Sequence, residues 1–470
     1  MFDAAIIGGG PAGATAGRLL AQWGHSVTIL TAPPSRHRGL AECLPPSTRK
    51  LFQFLEVQDA VDRAGFFRTT GNTVWWGKNR RRTEPYPDDT GYQVRRSDFD
   101  RLLLELAGAA GAQVQVGKAF HLPDANGARV EFQTDAGRAA IPAKFILDCS
   151  GRAGVIGRSV RVKEKNSRTV ALCGIWRNEQ GWKLPDASHT LVEAYSGGWA
   201  WSVPISPFVR YVAFMVDRTK GLSAAYFAEL AKTRAFRKIF SRGKLETGPW
   251  GADASLYSSK RFYGPGFLLA GDAGSFIDPL SSFGVKKAMV SAWMAAVVVN
   301  TCVRRPSMRE IALKFYDDRE REVYAGYLQK SAALFREAAG GYGHSFWINR
   351  SEVLEMPEAK DIRGVADALN QLKRKSSIRL RRAESVRMES RPAIEGREIV
   401  LRDALTMPGL PAALDYFENV DLPRLVDMAG HHAQVPDLFE AYNRACRPVA
   451  LPNFLAALAM LVAEGVLVDA

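Results

Sequence analysis

Cysteine is scarce and unpatterned in this chain. Its 470 residues include five, Cys43, Cys149, Cys173, Cys302 and Cys446. They form no CxxC pair, follow no regular spacing and are odd in number. That argues against a disulfide framework or a zinc site and fits a reducing, cytoplasmic setting. Long hydrophobic runs are also missing. The longest, Ala288 to Val299, is interrupted by Ser291. It is too short to cross a bilayer and reads as a buried helix, so no membrane partner is expected. The opening MFDAAIIGGG has no basic stretch before its apolar run, so no signal peptide is expected. Repeats and low-complexity tracts are absent. Acidic residues are outnumbered, 49 against 63 basic ones, for a net charge of +14. Such an excess fits nucleic acid, an acidic protein, the phosphates of a cofactor, or simply an arginine-rich surface. The 47% hydrophobic content is ordinary for a globular chain of two or three domains.

What is present begins at the N-terminus. Ala4 to Ile7 is a short apolar run of the kind that forms a buried parallel strand, and Gly8-Gly9-Gly10-Pro11-Ala12-Gly13 follows at once. Gly8, Gly10 and Gly13 occupy the GxGxxG positions. Gly8 permits the tight turn, Gly10 leaves room for a pyrophosphate, and Gly13 lets the next helix pack closely on the strand. The helix expected from Ala14 to Trp23 ends at Gly24. Its N-terminus offers free N–H groups and a positive dipole end to phosphates, and Pro11 and Ala12, just before it, are expected at the cofactor. Ser26 to Leu30 reads as the second strand. The acid that usually ends this strand and binds a ribose hydroxyl is replaced by Thr31; Arg36 or Arg38 is an alternative contact for the adenosine end.

A second element lies far downstream. The apolar run Phe267 to Ala270 feeds into Gly271-Asp272-Ala273-Gly274. An aspartate there accepts hydrogen bonds from a ribityl hydroxyl, while the glycine keeps the backbone close. Asp278-Pro279 and Ser281-Ser282-Phe283-Gly284-Val285 follow, and a long helix starts about there. The N–H groups of that helix would face the electron-rich edge of a reduced flavin. Together the two motifs resemble the glutathione-reductase-like flavoproteins, especially the group with the aromatic hydroxylases and tryptophan halogenases. The resemblance implies FAD as cofactor. Val94-Arg95-Arg96-Ser97-Asp98-Phe99-Asp100 matches the V-x-R-x-x-F-D pattern of the superfamily, which places Arg96 near the cofactor. Phe145 to Arg152 resembles the strand that re-enters the FAD domain, with Asp148 holding its turn.

Gly198-Trp199-Ala200-Trp201-Ser202-Val203-Pro204 closely matches the GWxWxIP signature of flavin-dependent halogenases. There the resemblance implies that Trp199 and Trp201, with Trp76, line a dry passage between flavin and substrate. The alternative is a core strand with two tryptophans on one face. Gly39 to Pro46 matches the loop that approaches the isoalloxazine, which brings Glu42 to the cofactor. Halogenases also need a lysine four residues before a strand-borne tryptophan. Counting back from Trp76 puts Asn72 at that place, and the nearby lysine is Lys78, past the tryptophan. An amide cannot form the amine adduct, so hydroxylation through a flavin C4a-hydroperoxide is the expected chemistry, with halogenation or small-molecule aromatic hydroxylation as alternatives. No catalytic base is identified; Glu42 and Glu193 are candidates, though a surface or structural role is expected for either.

Leu44 to Phe52, Gly71 to Gly77 and Ser282 to Met289 look most like flavoprotein monooxygenases that mature tryptophylquinone enzymes, such as those needed for the cysteine tryptophylquinone of quinohemoprotein amine dehydrogenase. That resemblance implies a small acidic partner polypeptide bearing the target tryptophan, O₂, and NAD(P)H or a separate flavin reductase as reductant. A nucleic-acid partner would leave both glycine motifs without purpose and is not expected.

The expected architecture is α/β: a glutathione-reductase-like FAD-binding Rossmann domain with an inserted β-rich substrate domain and a small helical, winged-helix-like C-terminal module. Residues 1–155 and 260–300 would form the split FAD domain, 156–259 the substrate domain, 301–372 a helical segment, and 373–470 a basic linker and C-terminal module. The linker is dense in cations, from Lys373, Arg374 and Lys375 to Arg397, and suits either docking to an acidic protein or plain solvation.

Overall fold

The computed structural model describes residues 1–33, 40–77, 80–87, 89–124, 127–165, 168–217, 221–352, 363–374, 377, 379–410 and 412–469. Arg36, Arg38, Lys78 and Lys375 lie outside the described residues. The chain divides into two compact units, Met1–Val353 and Leu354–Ala470.

The first unit is built on two sheets. In the six-stranded sheet the strands run in the order Tyr263–Gly264, Phe267–Leu269, Ala143–Asp148, Phe2–Ile7, Val27–Thr31 and Gln113–Val116. All neighbours are parallel except the first pair. Its central strand has Ala4, Ala5 and Ile6 completely buried, as a strand covered on both faces requires. Helix Pro11–Gln22 packs between helices Arg96–Ala109 and Gly284–Arg304. Its close seating depends on Gly13, where an added Cβ would stand 1.8 Å from the Gly8 carbonyl oxygen. Asp148 is fully buried and accepts from the N–H groups of Ile156 at 2.7 Å, Gly157 at 2.9 Å and Ser150 at 3.0 Å. It organises the turn after its strand, as its sequence context suggests.

The seven-stranded sheet runs Lys244–Asp253, Thr169–Arg177, Val209–Asp217, Gly198–Pro204, Thr190–Tyr195, Gly71–Trp76 and Arg80–Pro85. Two of these strands come from within the 1–155 range assigned by sequence to the FAD domain. The cause is the parallel pairing of Gly71–Trp76 with Thr190–Tyr195, a long-range contact with no local signature. One face of this sheet is covered by helices Arg309–Tyr342 and Ser345–Ser351, through Phe335, Ala338, Phe346 and Trp347. Arg210 is buried in the sheet without a carboxylate partner in contact. It is held by the Ser202 hydroxyl and the Ala187 and His189 carbonyls, and burial lowers its pKa to about 9.

In the second unit, helices Leu422–Ala429, Val435–Ala445 and Leu451–Ala463 enclose a core of Leu425, Tyr442, Phe454 and Leu458. The stretch read as a basic linker, Lys373 to Arg397, instead contains the first strand of a hairpin. Arg387–Glu395 pairs with Glu398–Thr406 from Arg387↔Thr406 to Glu395↔Glu398, across a turn where Gly396 has φ +59°. Charges on both hairpin faces conceal the alternation that marks a half-buried strand. Among the described residues, no helix is long and apolar enough to cross a membrane.

Two glycines should respond to alanine in opposite directions. Gly13→Ala should destabilise the protein by about 3 kcal/mol or more, because the obstructing atom is backbone. Gly326→Ala, in the interior of helix Arg309–Tyr342 with open space around the new methyl, should stabilise it by about 0.5–1 kcal/mol. Chemical denaturation of each variant measures both.

Candidate active site

The loop–helix junctions of the six-stranded sheet and one face of the seven-stranded sheet enclose a cavity of about 530 Å³, within the size range of small-molecule and cofactor sites. Gly8, Gly9, Gly10, Pro11 and Ala12 form one wall, and Asp272, Asp278, Pro279, Ser282, Gly284 and Val285 form another. The walls touch: a Cβ on Gly271, which has φ +61°, would lie 3.2 Å from the side chains of both Ala12 and Ala288. Two segments far apart in sequence thus meet at one cavity. Two helix N-termini open there, those of Pro11–Gln22 and Gly284–Arg304, and neither has a side-chain cap. Their first N–H groups are free to meet an anion or a carbonyl.

The charged groups are arranged around Arg96, which opens helix Arg96–Ala109. Its guanidinium bonds Asp100 one turn on, at 2.9 and 3.1 Å, and lies 3.5 Å from Glu42. Burial works against the Arg96 charge, but Asp100, Glu42 and Asp272 more than offset this and raise its pKa. Burial also raises the Glu42 carboxyl, with Arg96 opposing. Asp278 differs from these acids. It is 7% exposed, its Oδ1 accepts from the Leu280 N–H at 2.9 Å, and burial raises its pKa to about 6. Arg350, its nearest cationic influence, is committed to Asp217 at 2.8 Å and to Thr169.

On the sheet side the floor is made of small residues. Ala171, Cys173, Ala213, Ala252 and Ala254, with Met215, leave space bounded by Trp201 and Phe276. At the opposite end the cavity reaches Thr31, Gly117 and Lys118.

Gly8, Gly10, Pro11, Ala12, Glu42, Arg96, Asp272, Pro279, Gly284, Val285 and Trp201 therefore line one cavity. Gly13 and Gly271 lie behind its wall and allow the close packing just described. The expected passage of three tryptophans requires correction. Trp76 and Trp199 are buried in the core beside Phe335 and Trp347. Trp76 donates from Nε1 to the Leu334 carbonyl and packs edge-on against Trp347 at 5.4 Å. Strand alternation put Trp199 and Trp201 on one face, but the cavity reaches only the second. Glu193 is also structural: its carboxylate caps the 235–240 helix by accepting from the N–H groups of Arg234, Ala235 and Phe236. Asn72 does not line the cavity; its Oδ1 accepts from the Tyr86 hydroxyl at 3.3 Å. Sequence reasoning passed over Asp100, although it closes the Arg96 motif, and gave no role to Asp278. The small-residue floor comes from three separate strands and had no local signal.

A family model described as an FAD binding domain matches residues 1–327. The chain belongs to that family. It is an FAD-dependent oxidoreductase. Among curated proteins it is 29% identical to a tryptophan 2-halogenase of Chondromyces crocatus, over 73% of this chain and 69% of that protein. It is 25% identical to the flavin-dependent halogenase armH2 of Armillaria mellea, over 87% of each. Among solved structures, the flavin-dependent halogenase CmlS aligns with 100% of this chain and 96% of its own, at TM-score 0.80 and 22% identity. The peptidyl tryptophan dihydroxylase QhpG, essential for tryptophylquinone cofactor biogenesis, aligns over 99% of both chains at TM-score 0.75 and 20% identity.

The residues present fit this cofactor. Gly8 and Gly13 are required by protein packing, with added Cβ atoms 2.4 and 1.8 Å from backbone oxygens. Gly10 is not, since a Cβ there would meet nothing nearer than Asp100 Oδ2 at 3.6 Å; its missing side chain leaves space for a ligand. Trp201 lines the cavity with a buried Nε1 that lacks a hydrogen-bond partner.

The raised Asp278 pKa makes a stability prediction. A carboxyl whose folded pKa, about 6, exceeds its ordinary value of 3.8 favours folding at low pH and loses that contribution as pH rises through 6. Asp278→Asn keeps the acceptor for Leu280 and cannot ionise. Relative to wild type, the variant should gain about 2–3 kcal/mol between about pH 4 and pH 7. Denaturant titrations at both pH values read the difference, and parallel pH profiles would contradict the assignment.

Proposed function

We propose that this protein is an FAD-dependent monooxygenase that hydroxylates an indole, the side chain of a tryptophan carried by a partner polypeptide. The observation that carries this reading concerns lysine. Among the described residues, the only amine lining the cavity is that of Lys118, near the end of strand Val27–Thr31, whose last carbonyl bonds Gly117. Among the described residues the chamber beside Trp201 has none, and counting back from Trp76 in the sequence puts Asn72, which lies off the cavity, at the place of the lysine in halogenases. Full-length likeness to a peptidyl tryptophan dihydroxylase supports a polypeptide substrate.

In this reading the Gly8–Gly13 turn and the N-terminus of helix Pro11–Gln22 hold the FAD pyrophosphate. Asp272 accepts from the ribityl chain. Arg96, kept charged by Asp100, Glu42 and Asp272, would lie with Glu42 on the cofactor, and the first N–H groups of helix Gly284–Arg304 would offer donors to a reduced flavin. Bound and reduced, FAD supplies the electrons that activate O₂; the reductant is NAD(P)H or a flavin reductase. The protein orients the substrate and keeps water out. The alanine-lined floor leaves room for a planar ring, and Trp201 with Phe276 confines it. Asp278, aligned by Leu280 and poised near neutrality, is placed to accept the proton released as the ring regains aromaticity.

Halogenation is the second reading, favoured by the curated relatives. One incubation separates the two: a tryptophan-bearing polypeptide with the loaded enzyme, reductant, O₂ and bromide, followed by mass measurement. The expected product gains oxygen and no bromine. Bromine incorporation would overturn the hydroxylase reading, and an unmodified polypeptide, with oxygen gained by free tryptophan in a parallel incubation, would overturn the polypeptide substrate.

A further inference from the structure

Beneath the Gly271–Ser275 turn lies a polar cluster that the proposed chemistry does not use. Helix Gly284–Arg304 contributes Lys287 and Ser291, and helix Arg309–Tyr342 contributes Tyr316 and Glu320. Each pair is four residues apart, so each lies on one face of its helix. None of the four is more than 4% exposed.

Their bonds converge on the turn that carries Asp272. Lys287 Nζ donates to the Gly271 carbonyl at 3.0 Å and to the Ser275 carbonyl, so one ammonium joins the two ends of the turn. The Gly271 N–H donates to Ser291 Oγ at 3.0 Å. Tyr316 donates to the Leu269 carbonyl at 2.9 Å and lies 3.2 Å from the Ser291 hydroxyl. Glu320 Oε2 is buried without a hydrogen-bond partner.

Neutral groups would suffice to tie down a backbone turn. A buried ammonium and a buried, partly unsatisfied carboxylate are costly ways to do it. Burial lowers the Lys287 pKa, while Asp272 and Glu320 pull it back toward the charged form. Burial raises the Glu320 pKa, with Lys287 opposing. Both lysine acceptors are carbonyl oxygens, whose partial negative charge interacts more strongly with an ammonium than with a neutral amine. As a cation, Lys287 would stand directly behind the turn that carries Asp272, with Glu320 on the neighbouring helix.

We propose that Lys287 is a positioning residue that holds the Asp272 turn and whose buried charge, moderated by Glu320, favours the reduced, anionic flavin over the oxidised one. A charge of fixed sign in a low-dielectric wall acts differently on ligand states of different charge, whereas a purely mechanical tie acts on both alike. The inference needs only the FAD site and holds for hydroxylation or halogenation.

The test uses the full-length FAD-loaded protein and needs no turnover. Flavin midpoint potentials are measured by dye-equilibrated titration, and FAD dissociation constants by fluorescence. Lys287→Met should lower the potential and weaken binding of reduced flavin more than oxidised flavin, by a further factor on the order of ten. Glu320→Gln should move the potential upward and leave oxidised FAD affinity within about twofold. Opposite shifts support the electrostatic role. Unchanged potentials, or shifts of the same sign, overturn it. Should Lys287→Met fail to fold, Glu320→Gln decides alone, since an unchanged or lowered potential there refutes the proposal.

Discussion

The site depends on the close approach of two turns. The glycine-rich turn at Gly8–Gly13 and the turn at Gly271–Ser275 meet with so little space that a methyl on Gly271 would press on both Ala12 and Ala288. That contact puts two uncapped helix N-termini at one cavity. Uncapped ends are costly to bury without partners, so the arrangement makes sense for a ligand rich in acceptors. The parallel sheet makes the approach possible. Strands Phe2–Ile7, Ala143–Asp148 and Phe267–Leu269 lie side by side with the same direction, so the turns that follow them emerge at the same edge.

Charge within the first unit is used in two ways. Around Arg96 it is paired, with Asp100 and Glu42 close enough that each acid stabilises the cation. Around Asp278 it is not. That carboxylate has one backbone donor and a distant arginine already committed elsewhere. Paired groups give fixed electrostatics, whereas an unpaired buried acid titrates within reach of neutral pH and can move a proton. The same contrast separates Glu193, whose carboxylate is occupied by three helix N–H groups, from an acid available for chemistry.

The two sheets have separate tasks. The parallel sheet supplies turns and helix ends, which bind by backbone. The other sheet supplies a face, and its side chains set the shape of the chamber. Bulk on that face is uneven. Trp76 and Trp199 fill the core under helix Ser345–Ser351, while alanines on neighbouring strands leave the floor open. The seven-stranded sheet also explains why no single motif describes the chamber, because its floor is drawn from three strands.

The nucleotide half of the protein can be read from local sequence signals. Its strand–turn–helix signals are local: Gly8, Gly10 and Gly13 have roles set by spacing within one turn, and Asp272 follows its strand directly. Arg96 was legible for the same reason, as part of a motif confined to a few residues. The tertiary structure decided what depends on partners distant in the chain. Alternation showed that Trp199 and Trp201 share a face, but only the packed sheet shows that the cavity stops at Trp201. Membership of strand Gly71–Trp76 in the second sheet rests on pairing with residues far along the chain. The burial of Asp278 and Lys287, and hence their altered acidities, depends on helices folding over them. Spacing encodes backbone geometry, whereas desolvation arises only when separate elements pack.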